Sequence, residues 1–270
     1  MEQALSRTLD LTEPRHRVRR TLTRWKAAAI HLGICALIAV AVFACMAFLW
    51  YPWPYFEAVG GAKLALILIG VDVVIGPLIT LIIYNPKKKS LRFDLAVVAL
   101  LQMGALVYGI HVVYAARPVY VVFNVDRFDV VAANDLVPDD WQALAPDEFR
   151  TLPLTGPRLI AADLPSDPKE QEQLLFSAVG AGLDLANFPQ YYVHYEERTA
   201  AAIARAKPLA ELREKRPDSE ADLARAVEAF GQGSEHLAFL PVRARKQDLT
   251  AIIDRRNGNV VKVLPIDPWL

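Results

Sequence analysis

Three apolar runs fill most of the first 116 residues, at about 27–50, 62–84 and 95–115. At 1.5 Å per helical residue, runs of roughly 20–24 residues match the ~30 Å hydrocarbon core of a bilayer. A chain so built must place three helices in lipid before it can fold anything else, because lipid leaves backbone polar groups no partners outside the helix. One acid interrupts this pattern. Asp72 is the only Asp or Glu in any of the three runs. A carboxyl at the bilayer centre costs roughly 2.5–3.5 kcal/mol on insertion scales, so Asp72 should face protein.

Basic residues set the expected orientation. Arg15, Arg17, Arg19, Arg20, Arg24 and Lys26 precede the first run, and Lys87, Lys88, Lys89 and Arg92 follow the second. The loop 51–61 has no Lys or Arg. The positive-inside bias then puts the basic tail (1–26) and the Lys-rich loop in the cytoplasm, and everything after Arg117 outside, in the periplasm of a Gram-negative cell. The first run is too long for a signal peptide, and large aromatics stand where small cleavage-site residues are wanted. A net charge of +0 gives no case for a nucleic-acid partner. Cys35 and Cys45 share the first run, about 15 Å apart along one helix, too far to pair.

Within the membrane, counting from the cytoplasmic ends puts Asp72 about 18 Å up, Tyr108 about 20 Å and Gln102 about 11 Å. Tyr108 is therefore the expected hydrogen-bond partner of Asp72, with Gln102 one to two turns away. Gly76-Pro77 should kink the second helix and free a carbonyl near Asp72. Gly104, Ala105 and Gly109 form a small-residue face on the third helix, suited either to packing within the bundle or to docking a helix of another protein. An aspartyl dyad is excluded by distance: the next carboxyl, Asp94, lies about 18 Å away in depth. In the outer loop, Trp50, Tyr51, Trp53 and Tyr55 read as an aromatic belt at headgroup level, while Pro52, Pro54 and Gly60-Gly61 reverse the chain.

The motifs also form an ordered series: Trp50-Tyr51-Pro52-x-Pro54, Gly60-Gly61, Val71-Asp72, Gly76-Pro77-Leu78-x-Thr80, Lys88-Lys89-Ser90-Leu91-x-x-Asp94, Tyr108-Gly109, Arg117-Pro118 and Asp126-Arg127-Phe128. This series resembles the TfpX/TfpZ family of type IV pilin accessory proteins, densely from about Trp50 to Val131. The resemblance implies an inner-membrane factor that assists one type IV major pilin, without catalytic residues or a cofactor. An envelope sensor, binding a small ligand outside and signalling through a cytoplasmic partner, is the alternative; it expects an apolar pocket.

Residues 117–270 are the size of one domain. Strands are expected at 119–125, 128–131, 158–161 and 237–243, with a hairpin 249–254/259–264 turned by Asn257-Gly258. Helices are expected near 134–144, from Ser166 to about 179, and up to three times in 199–230, with Ser219 a candidate N-cap. The cluster Tyr191-Tyr192-Val193-His194-Tyr195 reads as core or interface packing. The fold class is thus a three-helix transmembrane bundle followed by an α+β extracytoplasmic domain with a small antiparallel sheet.

Overall fold

The computed structural model describes residues 23–231 and 233–269; Arg15, Arg17, Arg19 and Arg20 of the expected basic tail lie outside them. Among the described residues, three helices are long and apolar enough to cross a membrane: Arg24–Trp50, Gly61–Ile83 and Leu91–Ala115. The Thr23 side chain caps the first by accepting the Lys26 N–H. Its last turn, Met46–Trp50, is π-helical and stops before Pro52. Gly60, at φ +83°, makes the left-handed entry to the second span. The first and third spans each pack on the second and scarcely meet one another. The expected bundle is therefore a row of three with the second span in the middle.

The following domain holds one mixed sheet of eight strands, larger than expected and only partly antiparallel. β1 (Pro118–Asn124) and β2 (Arg127–Ala132) form a hairpin. β3 (Arg158–Ala162) lies parallel to β1, and β4 (Tyr192–Val193) closes that edge. β6 (Leu237–Arg243), β7 (Leu249–Asp254) and β8 (Val260–Leu264) form a meander, and β5 (Lys207–Pro208) pairs with the start of β6. The halves join through β2 and β6, which run parallel for two residue pairs only, Phe128↔Val242 and Asp129↔Arg243. All seven residues of β1 are buried. A run without polar alternation marks a strand covered on both faces, which is why β1 takes a parallel neighbour.

One face of the sheet carries a core continuous across both halves, including Phe123, Phe128, Tyr195, Leu240 and Ile253. The opposite face divides. Trp141, Phe149 and Tyr192 cover β1–β3, while Leu212 and Leu223 from helices 209–215 and 220–230 cover β6–β8. Ions fill the gap between the two. Asp129 accepts from Asn124, Arg127 and Arg243, and Asp184 accepts from both arginines. Tyr192 and Tyr195 of the aromatic cluster are core residues, and the Tyr195 hydroxyl donates to the Gly258 carbonyl at 2.6 Å. Three helices occupy 199–230, at Thr199–Arg205, Leu209–Lys215 and Glu220–Phe230. Ser219 makes no side-chain cap, and the helix Pro168–Ala181 is capped by Asp167. The β7–β8 turn is longer than a two-residue hairpin, with Gly258 alone of the Asn-Gly pair at positive φ.

Candidate functional site

The outer loop ties the spans to the sheet domain. Ala58 is fully buried in the continuous core, with Tyr55 packed beside it. The Ala58 carbonyl accepts the N–H groups of Lys246, at 2.8 Å, and Gln247. Gly156 donates its N–H to the Leu49 carbonyl at 2.7 Å. Arg117 is 3% exposed, donates to the carbonyls of Tyr114 and Pro153, and lies over the Tyr114 ring. The expected aromatic belt is accordingly drawn into protein in part. Tyr51 is fully buried and donates to the Val113 carbonyl, Tyr55 joins the domain core, and Trp50 packs edge-on against Tyr114. Trp53, at 62%, stays exposed. The prolines and glycines fold this loop back over its own helix ends, within reach of the following domain.

Asp72 sits in a π-helical turn, Val71–Ile75, directly before Gly76-Pro77. Continuing that i→i+5 register would pair the Asp72 carbonyl with the Pro77 nitrogen, which carries no hydrogen. The freed carbonyl instead accepts Gln102 Nε2 from the third span at 3.4 Å. Gly76 makes this approach possible, since a Cβ there would stand 1.8 Å from Gln102 Nε2. The partner of this turn is thus Gln102, in place of the expected Tyr108. Tyr108 is 71% exposed and lines a cleft beside Asp72 without bonding to it.

The Asp72 side chain is 9% exposed. Its Oδ1 and Gln102 Oε1 are buried acceptors without a hydrogen-bond donor among the described residues. Each such atom costs about 1–3 kcal/mol in protein interiors. On the same side, His31 Nδ1 and Thr80 Oγ1 are 2.6 Å apart and satisfy each other. The small-residue face divides. A Cβ on Gly109 would meet Leu68 Cδ1 at 2.3 Å, so this glycine serves packing of the second span on the third, whereas Gly104 has open space around it.

In the sheet domain, a polar cleft of about 380 Å³ opens where β2 and β6 part, lined in part by Asp129, Asn134, Asp135, Arg243 and Arg245. Its arginines are already paired, Arg243 with Asp129 and Arg245 with Asp135, so it differs from the apolar pocket a ligand sensor would need. Elsewhere, the helix Pro168–Ala181 buries none of its residues and exposes Leu175, Phe176 and Val179 on one stripe.

Comparison with known proteins fixes the process. Over 254 residues the chain is 32% identical to the fimbrial assembly protein, serogroup E1, of Dichelobacter nodosus, covering 93% of this chain and 98% of that protein. It belongs to the fimbrial assembly protein family. The serogroup I protein of the same organism matches equally, at 32% over 254 residues. A protein of serogroups C1 and C2 is 35% identical over 123 residues, 45% of this chain and 94% of that relative. The family described as fimbrial assembly protein FimB matches residues 19–60, which take in the first span and most of the outer loop. No solved structure matches. The family relation leaves single positions without assigned roles; those come from the geometry. Sequence reasoning missed the Gln102–Asp72 backbone bond and the docking of Ala58. The Gly76-Pro77 step was the available signal for the first. A small, apolar Ala58 gave none for the second.

Proposed function

We propose that this protein is a non-enzymatic, inner-membrane assembly factor for a type IV pilin, with the N-terminus in the cytoplasm and the sheet domain in the periplasm. The observation that carries this reading is the near full-length relation to proteins named for fimbrial assembly. It agrees with the sequence resemblance to TfpX/TfpZ pilin accessory proteins. In this role the spans receive the pilin's apolar helix while that helix still lies in the membrane. The exposed Leu175, Phe176 and Val179 stripe is the sheet domain's candidate contact for the pilin head, since a contiguous apolar surface marks a partner site. The loop 51–61, built into the domain core through Ala58, links the two contacts.

The test is co-purification of pilin with the full-length protein from membranes, together with a pilus count in a deletion strain. The reading expects pilin to co-purify and pili to be lost or sharply reduced. Normal piliation without the protein, and no co-purification, would reject it.

A further inference from the structure

The first and third spans are locked together at one end, where Trp50 and Tyr114 pack edge-on with ring centroids 5.3 Å apart. Below that lock they diverge, and a slot opens between them with the second span as its floor. A cavity of about 160 Å³ occupies its middle, between Ile34 and Ile38 of the first span and Met103 and Leu106 of the third. A second, more open one continues it toward Ala27 and Leu95. The two share His31, Ile34 and Ala99, so they form one groove.

The walls are apolar and the floor is not. His31 and Thr80 are mutually bonded, and Gln102 Nε2 is spent on the Asp72 carbonyl and on Cys35 Sγ, which also lines the cavity. Left without a donor among the described residues are Asp72 Oδ1 and Gln102 Oε1, both acceptors buried just beneath the cavity surface. Asp72 is nine-tenths buried and lines the cavity, as does Gln102. In hydrocarbon there is no water to satisfy them, and lipid tails carry no donor. The volume matches one large side chain, being close to that of cavities that hold a benzene-sized guest.

Resting on the assembly reading above, we propose that this groove seats the transmembrane helix of a fimbrial subunit, which inserts one donor-bearing side chain between Asp72 and Gln102, whose side chains turn to meet it. The groove thus selects a partner by a donor at mid-membrane depth. Apolar contact with Ile38 and Met103 supplies the remainder.

The test uses the full-length protein in membranes of piliated cells, with a photo-crosslinking residue at Ile38 or Met103 and a control at Ile67 on the opposite cleft. The subunit should be captured from Ile38 and Met103 and not from Ile67. Asp72→Leu should reduce capture at least tenfold at equal protein level, while Asp72→Asn, which keeps an acceptor oxygen, retains most of it. Should Asp72→Leu lower the protein level, Met103→Trp, which fills the slot from its rim, becomes the deciding variant and must abolish capture from Ile38. Capture of lipid alone or of a second copy of this chain from the groove, or capture of the subunit only from Ile67, overturns the proposal. If the subunit still co-purifies while the groove positions miss it, this inference falls and the assembly reading stands. If co-purification also fails, both fall.

Discussion

The hydroxyl of Tyr51 donates a 2.6 Å hydrogen bond to the backbone carbonyl of Val113, and both residues are buried. This bond joins the C-terminal end of the first span to that of the third, across 62 residues. Tyr51 also packs edge-on against Phe56 of the outer loop, so one ring fixes helix ends and loop together. Tyr51→Phe keeps the ring and leaves the Val113 carbonyl unpaired. It should destabilise the protein by about 1–3 kcal/mol. Thermal unfolding in detergent micelles would show a lowered midpoint, and an unchanged midpoint would mean that the bond contributes nothing.

Gly76 and Gln102 should behave as a coupled pair. Gly76→Ala places a methyl inside the position of Gln102 Nε2, so the amide must leave the Asp72 carbonyl or the spans must separate. Gln102→Ala removes the obstacle. The double variant should therefore be more stable than the sum of the single losses predicts, with a coupling of roughly 0.5–3 kcal/mol. A four-member thermal-stability cycle measures it, and strict additivity would show that the two residues do not meet.

The junction of the half-sheets depends on Asp129. Its side chain is 5% exposed and accepts from Arg127, Arg243 and Asn124. Removing one member of a buried ion pair costs about 3–5 kcal/mol, and less where the stranded cation keeps water, as Arg243 does at 46% exposure. Asp129→Ala should cost roughly 2–3 kcal/mol by that reasoning. Hydrogen exchange should rise first at β2 and β6, because only two residue pairs hold those strands together.

Alkaline stability should carry the signature of Tyr55. Burial pushes its phenol from 10.0 up to about 12. The folded protein keeps a proton that the unfolded chain has already lost, so this contribution is intact below about pH 10 and disappears as pH rises toward 12. Tyr51 and Tyr195 are displaced upward for the same reason. Tyr55→Phe should make unfolding less pH-dependent across that window, followed by phenolate absorbance and circular dichroism. Equal slopes for both proteins would place Tyr55 in water.

Most of the local structure was legible because it depends on neighbours in the chain. The three spans, the β1–β2 hairpin, the β6–β8 meander and the helix pieces of 199–230 all follow from hydropathy and turn residues. The antiparallel expectation failed where pairing is remote. β1 with β3, and β2 with β6, join residues far apart in the chain, Tyr120 with Arg158 and Phe128 with Val242, and no turn announces a parallel pair. The continuous burial of β1 was the available clue. At the candidate site, Asp72, Gly76, Pro77 and Gln102 are legible as candidates in the sequence, and the structure places Gln102 against Gly76 and the Asp72 carbonyl. Tyr108 was chosen over Gln102 because depth along ideal helices ignores the π-helical turn and the small residue that lets Gln102 reach across.

By itself, the sequence determined that three helices are long and apolar enough to cross a membrane, that one acid among them needs protection, and that a domain of helices and strands follows. These are consequences of apolar length and of the cost of a bare carboxyl in hydrocarbon, which hold in any arrangement of the helices. Tertiary structure alone decided which atom bonds the freed carbonyl of the second span, and that among the described residues two buried acceptors stay without a donor beside a groove between the first and third. It also decided that Ala58 belongs to the core of the distant sheet. Each of these depends on distances of a few ångströms between residues far apart in the chain, and only the packed backbone sets such distances.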